Sequence, residues 1–257
     1  MVAAKIRYLA LSGIMLSLIV FLYPGFSLAL SDEEIQMLQS ILEGKTTGEK
    51  IAFWAERFVG TPYDQDPQGE YVTRAAIAAD DRMDCMYLTF RAVELALSRT
   101  PGEAAQIALD KRFHSQGILK DGKVANYEDR FEYGEDMIQS GKWGREVSPE
   151  VGRMIRIQGS RGQQFLKILP AAEIKKGIGR LRTGDLIFFI KAPEKRVVEE
   201  EVGHIGIVKI EGNGAHKNYY LIHAGGTKIK GGVVTKVRLK DYFAKMQFIG
   251  VKVTRFD

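Results

Sequence analysis

One cysteine and four histidines bound the chemistry open to this chain: Cys85, His114, His204, His216 and His223. A single cysteine excludes an intramolecular disulfide. It leaves a reactive thiol, an intermolecular bridge or a small buried hydrophobe. The stretch RMDCMYLTF (82–90) sets Cys85 directly after Asp84, which sits at a helix N-cap position. The residues from 84 to 98 read as a helix that is apolar nearly all round and therefore buried. A thiol in the first turn of a helix meets free backbone N–H groups and positive potential. Both favour a thiolate, and the same N–H groups can stabilise an oxyanion. That placement suits a nucleophile.

A nucleophile of this kind needs a base, and the base needs an orienting group. His204 opens the alternating segment GHIGIVKI (203–210), and His223 lies near the end of the next, NYYLIHA (218–224). The loop EGNGAHKN (211–218) has its midpoint near 214.5, so residues opposite one another in an antiparallel hairpin add to about 429. His204 and His223 add to 427. They are diagonal neighbours, or direct partners after a small register shift, and share a face. Two imidazoles at one end of one hairpin face make poor core filling. In the candidate set, His204 exchanges the proton with Cys85, and His223 fixes the tautomer of His204. His216 in the loop and His114 in a charged stretch read as surface histidines. Zinc is the rival use of one Cys and two His. No pair has local ligand spacing, no HExxH occurs and nearby carboxylates are not clustered, so neither a metal nor a cofactor is expected.

The elements that must position these residues change character along the chain. Residues 31–44, 46–60, 84–98 and 101–113 read as helices, with Ser31 or Asp32 capping the first and Gly44 ending it. Residues 117–144 carry mixed signals. From 181 the period turns from helical to alternating, and 185–190, 203–210, 218–224, 233–239 and 247–254 read as five strands. Helices followed by a meander of strands imply an α+β fold with a segregated antiparallel sheet. Length fits one domain, and the share of apolar (45%) and charged (27%) residues allows a buried core.

Residues 1–29 read as a signal peptide: Lys5 and Arg7, an apolar run over 8–23, then Pro24–Gly25 and small residues at 27–29. Cleavage after Ala29 leaves 30–257 as the mature domain, with no stable membrane span. An uncleaved anchor is the other reading, since 8–30 is just long enough to cross a bilayer. Lys5 and Arg7 carry two of the five net positive charges. The remaining +3 does not argue for nucleic acid. EKRVVEEE (194–201) reads as a solvated loop, GGTKIKGG (225–232) as a hairpin turn and Asp185 as a turn cap. Tyr63, after Pro62, either packs in a turn or lines a site.

GTPY (60–63), Asp84–Cys85 opening a helix, LRTGDLIFF (181–189), GHIGIV (203–208) and LIHAG (221–225), in that order, resemble the NlpC-type, papain-like cysteine hydrolases of bacterial cell walls. The likeness covers roughly 50–257. It implies a papain-like fold with Cys85 as nucleophile, His204 as base and His223 as orienter. It also implies that Asp84 helps hold substrate and that Tyr63 stands beside the active site. The segment 112–138 is similar to the insertion of the N-acetylmuramoyl-L-alanine amidase-like branch. Met86–Tyr87 replaces the usual Ser–Gly after the cysteine, and Glu132–Tyr133 stands where that branch tends to carry His–Tyr. The function implied is an exported thiol amidase or stem-peptide endopeptidase in the periplasm or cell envelope, acting on peptidoglycan or muropeptide fragments. An insertion at about 100–180 would set specificity. An acyltransferase on the same fold and a non-catalytic wall-binding module are the alternatives.

Overall fold

A computed structural model describes residues 30–65 and 77–257. The expected signal peptide, 1–29, lies outside the described residues. Among those described, no helix is long and apolar enough to cross a membrane.

The helices form where caps and periodicity expected them. Ser31 accepts the Glu34 N–H and starts α1 (Asp32–Ile41). Thr46 and Glu49 cap one another at the start of α2 (Thr47–Arg57). Asp84 caps α3 (Cys85–Leu97), and Thr100 caps α4 (Pro101–Lys111) ahead of a first-turn proline. Residues 117–177 then form a small hairpin, β1 (Leu119–Lys120) and β2 (Lys123–Val124), followed by α5 (Gly134–Ser140), β3 (Arg145–Glu146), α6 (Ser148–Val151), β4 (Ile155–Gln158), β5 (Phe165–Pro170) and α7 (Ala171–Gly177). The rest comprises β6 (Leu186–Ile190), β7 (Val202–Glu211), β8 (Asn218–Thr227), β9 (Gly231–Arg238), α8 (Leu239–Lys245) and β10 (Gly250–Arg255).

The fold is α+β, and its main sheet has 8 strands where the sequence implied five. All five expected strands are present as β6–β10. The additions come from the 100–180 segment: β4 and β5 extend the sheet past β10, and β3 pairs with the far end of β10. Two- to six-residue strands inside a turn-rich, mixed segment show too little alternation to read from sequence. The order is β4-β5-β10-β6-β7-β8-β9, antiparallel throughout.

Apolar cores cover both faces. Leu186, Phe188, Ile205 and Ile207 pack against α2 and α3, whereas Ile187, Phe189, Val208 and Leu221 pack with Phe243 of α8 and Ile174 of α7. Every residue of β6 is therefore buried, which is why LIFFI is a continuous apolar run. Asp185 does cap its turn, accepting the Arg182 N–H at 2.8 Å. It also takes a two-pronged pair with Arg255 (2.7 and 2.8 Å) that ties β6 to β10.

Charges buried on α3 are paired. Asp80 accepts both Arg91 contacts (2.7 and 2.8 Å), and Glu94 accepts two from Arg112 (2.6 and 2.7 Å). Tyr87 accepts the Ala79 N–H, donates to Asp80 at 3.1 Å and packs under the Arg112 guanidinium. The residue after Met86 is thus an anchor that fastens the loop before Cys85 to α3. Met86 itself packs against the first core.

Candidate active site

Asp84 is extended, and its side chain accepts the Tyr87 N–H at 2.8 Å, so α3 begins at Cys85. The Thr89 hydroxyl donates to the Cys85 carbonyl at 2.8 Å, tightening the same turn. Residues 60–64 are laced to two neighbours. Gly60 and Tyr63 donate to Val234 and Gly232 of β9 (2.9 and 2.8 Å), and Met83 donates to Pro62 at 2.9 Å. The lacing sets half-buried Tyr63 beside Cys85. Gly226 makes room for it, since a Cβ there would stand 2.6 Å from the Tyr63 ring.

The β7–β8 hairpin pairs from Ile207–Ile222 to Glu211–Asn218, with partners adding to 429 as the loop midpoint implied. Carried on toward the site, that register sets His204 against Gly225 and His223 against Gly206. A Cβ on Gly225 would lie 3.2 Å from His223 Cε1, and one on Gly206 would lie 3.3 Å from His223 Cβ. Gly225 thus leaves space for the His223 ring, whereas Gly206 leaves it mainly for Leu221, which a Cβ would approach to 2.6 Å. His204 Nε2 and His223 Nδ1 are 2.9 Å apart, with the rings nearly perpendicular. Thr235, opposite His223 on β9, places Oγ1 3.4 Å from His223 Nε2. Phe189 and Tyr242 wall the pair. The Phe189 ring is 5.9 Å from His204, and the Tyr242 ring is 5.0 Å from His223.

By strand alternation the two histidines face the second core, on the α8 side of the sheet, whereas α3 packs on the opposite face. Cys85 and the imidazoles can approach only at an end of the sheet. β7 and β8 stop pairing at Ile207 and Ile222, and there the Ile205 N–H lies near enough to the Cys85 sulfur to favour its ionised form. A charge on that sulfur opposes ionisation of both Tyr63 and Tyr242. Among the described residues the thiol is not hydrogen-bonded to either imidazole. Catalytic hydrogen bonds are often long in a free site and tighten on substrate.

Burial pushes the Cys85 thiol up to about 12, and the charge of Asp84 adds to the shift. The Ile205 N–H, the thiol's own backbone and Lys228 pull the other way. Burial and then His223 push His204 down to about 3, and burial pushes His223 down to about 4. Burial also raises the Tyr63 and Tyr242 phenols. At neutral pH the free site therefore holds a thiol, two neutral imidazoles and two phenols. This corrects the thiolate expected from the helix start: desolvation and Asp84 outweigh the N–H groups. Neutral His204 is available as a base. In the tautomer whose Nε2–H donates to His223 Nδ1, the Nδ1 lone pair of His204 is left free to take a proton.

Other residues at the site carried no clear sequence signal. Lys228, in the turn between β8 and β9, puts Nζ 3.5 Å from both Asp64 and Asp84. Asp84 thus already faces an internal ammonium. Thr235 and Tyr242 read only as strand and helix residues. The run 194–201 is mostly exposed, as expected, but ends in buried Glu201. Glu135 of α5 accepts the Glu201 and Val202 N–H groups (3.0 and 3.1 Å), anchoring the start of β7 two residues before His204. Arg161 from the β4–β5 turn braces that contact through Asp136 at 2.7 Å. His114 and His216 are exposed and away from the cluster. Among the described residues no group of three or more His, Cys, Asp or Glu is placed to hold a metal.

No protein-family model and no curated protein matches the chain. Solved structures do. A Bacteroides uniformis N-acetylmuramoyl-L-alanine amidase superposes with a TM-score of 0.61 at 20% identity, covering 81% of this chain and 98% of that one. A Legionella pneumophila protein of the DUF1460 family gives 0.65 at 15% identity, over 86% and 93%. A Bacteroides fragilis protein named provisionally as a xylanase gives 0.59 at 19%, over 80% and 100%. The chain shares their fold.

Proposed function

We propose that the chain is an exported, cysteine-dependent amidase of papain-like type that hydrolyses amide bonds of bacterial peptidoglycan. The bond between N-acetylmuramic acid and L-alanine is the first candidate. The observation that carries this reading is the His204–His223 hydrogen bond at 2.9 Å beside a cysteine that opens a buried helix. The fold shared with a structure named as such an amidase supports it.

In this reading Cys85 Sγ attacks the amide carbonyl carbon as its proton passes to His204 Nδ1. The oxyanion meets the Cys85 backbone N–H, and Tyr63, kept protonated by burial, is a further donor. As the C–N bond breaks, His204 returns the proton to the leaving amine. A water, deprotonated by His204, then attacks the thioester, and Sγ departs and regains a proton. His223 holds the Nε2–H of His204 throughout, and Thr235 lies at its far nitrogen.

Mass spectrometry of peptidoglycan digested by wild type and Cys85→Ala tests the reading. Released stem peptides with a new L-alanine amino terminus are expected from wild type alone, and equal cleavage by Cys85→Ala rejects it. Activity unaffected by a chelator separates this chemistry from zinc chemistry. Competing amine nucleophiles in the digest separate hydrolysis from acyl transfer.

The xylanase name of one structural neighbour suggests a second assay. A glycosidase needs two carboxylates flanking the scissile bond. Asp64 and Asp84 flank Cys85, but Lys228 bridges them and Asp84 caps α3. Inertness toward xylan is expected.

A further inference from the structure

Asp241, Tyr242 and Lys245 fall at helical spacing on one face of α8, and Arg238, the last residue of β9, stands at the N-cap of that helix. Together with Met246 and Phe248 they line a cavity of about 630 Å³. That volume is typical of small-ligand sites, about 300–1,000 Å³.

Two lining side chains join this cavity to the candidate active site. The Tyr242 ring is 5.0 Å from His223, and its hydroxyl responds to the charge on Cys85. Phe248 packs 5.5 Å from Phe189, which faces His204 across the β6–β7 ladder. Tyr242, and Phe248 through Phe189, thus form a wall that the cavity shares with the histidine pair.

The cavity's charge is unbalanced: two cations against one carboxylate. Neither Arg238 nor Lys245 makes an ion pair among the described residues. Several other cations of the same sheet are taken. Lys236 pairs with Glu56 and Glu211, Lys209 with Glu56, and Lys252 with Glu146. Arg238 and Lys245 stand beside an apolar wall from Met246 and Phe248. Guanidinium and ammonium groups next to apolar surface suit an aliphatic arm that ends in a carboxylate.

We propose that this cavity is a subsite for a carboxylate-bearing arm of the substrate, with Arg238 and Lys245 as its specificity-determining residues. The proposal rests on the peptidoglycan reading, whose stem peptides carry such arms. Anchoring the arm there would hold the scissile amide in register with Cys85.

The test uses one muropeptide in two forms, with carboxylates free or amidated. Binding of each is measured by calorimetry on Cys85→Ser, with and without Arg238→Gln and Lys245→Gln, singly and together. KM is measured in the same series on the Cys85 background. The free form is expected to bind about tenfold tighter than the amidated form, and the double substitution is expected to erase that preference. A preference unchanged by the double substitution, or no binding of the free form, overturns the proposal. Failure of the catalytic reading looks different: wild type then cleaves neither form, while charge-dependent binding in Cys85→Ser still upholds the subsite.

Discussion

Asp84 positions Cys85 and opposes its ionisation. Its side chain caps the helix that Cys85 begins, and its charge raises the thiol. Asparagine caps helices about as well as aspartate, so Asp84→Asn separates the two effects. Alkylation of Cys85 by iodoacetamide at pH 7 should speed up several-fold, toward tenfold if the thiol falls by one unit. Lys228→Met should slow it, because that ammonium favours the thiolate. Rates identical to wild type in both variants would remove the electrostatic account of this site.

His223 should matter through the tautomer of His204. We expect His223→Ala to lower kcat on muropeptides by about a hundredfold or more, with a smaller change in KM. His223→Asn, whose carbonyl oxygen can accept the Nε2–H of His204, should recover part of that loss. No recovery, with the fold intact by circular dichroism, would point to a role other than orientation.

Acid should destabilise this protein through the same pair. Both histidines are held below their ordinary value in the folded chain, at about 3 and about 4. The unfolded chain therefore binds more protons as pH falls below about 6.5, and stability is lost progressively toward about pH 4. Denaturant midpoints at pH 7, 5.5 and 4 should fall in that order, and His223→Gln should flatten the decline. A slope unaltered by His223→Gln would assign the acid sensitivity to other groups.

The ion pair beneath α3 gives a fourth expectation. Arg112→Met leaves Glu94 buried without its main partner, a loss of about 3–5 kcal/mol. Changing Glu94→Leu in the same chain removes the stranded charge and should restore most of the stability. A double variant as unstable as Arg112→Met would show that packing under Tyr87 and Phe90 dominates instead.

Some of this arrangement was legible in the sequence because it is local. Asp84 at the head of an apolar helix and the midpoint of a short loop suffice to place Cys85 and to set the His204–His223 register. Lys228, Thr235, Glu135 and Tyr242 were not legible. Each meets the site across many residues, and lysine in a turn or threonine in a strand has an ordinary structural use. The additional strands were hidden for a related reason: β3 has two residues, and its partner β10 lies about a hundred residues later. The state of the thiol was misread because helix polarity is visible in a sequence, whereas burial and its cost are not.

The placement of α3 and α8 on opposite faces of one sheet has a consequence for the order of assembly. A chain that has docked α3 but not α8 already displays its cysteine. It lacks the Tyr242 wall that helps keep His204 and His223 dry and uncharged. Its imidazoles would then titrate near their ordinary value and be poorly held. The His204–His223 pair would thus reach its final state last, when α8 seats, and a partly folded chain would hold Cys85 beside imidazoles not yet fixed.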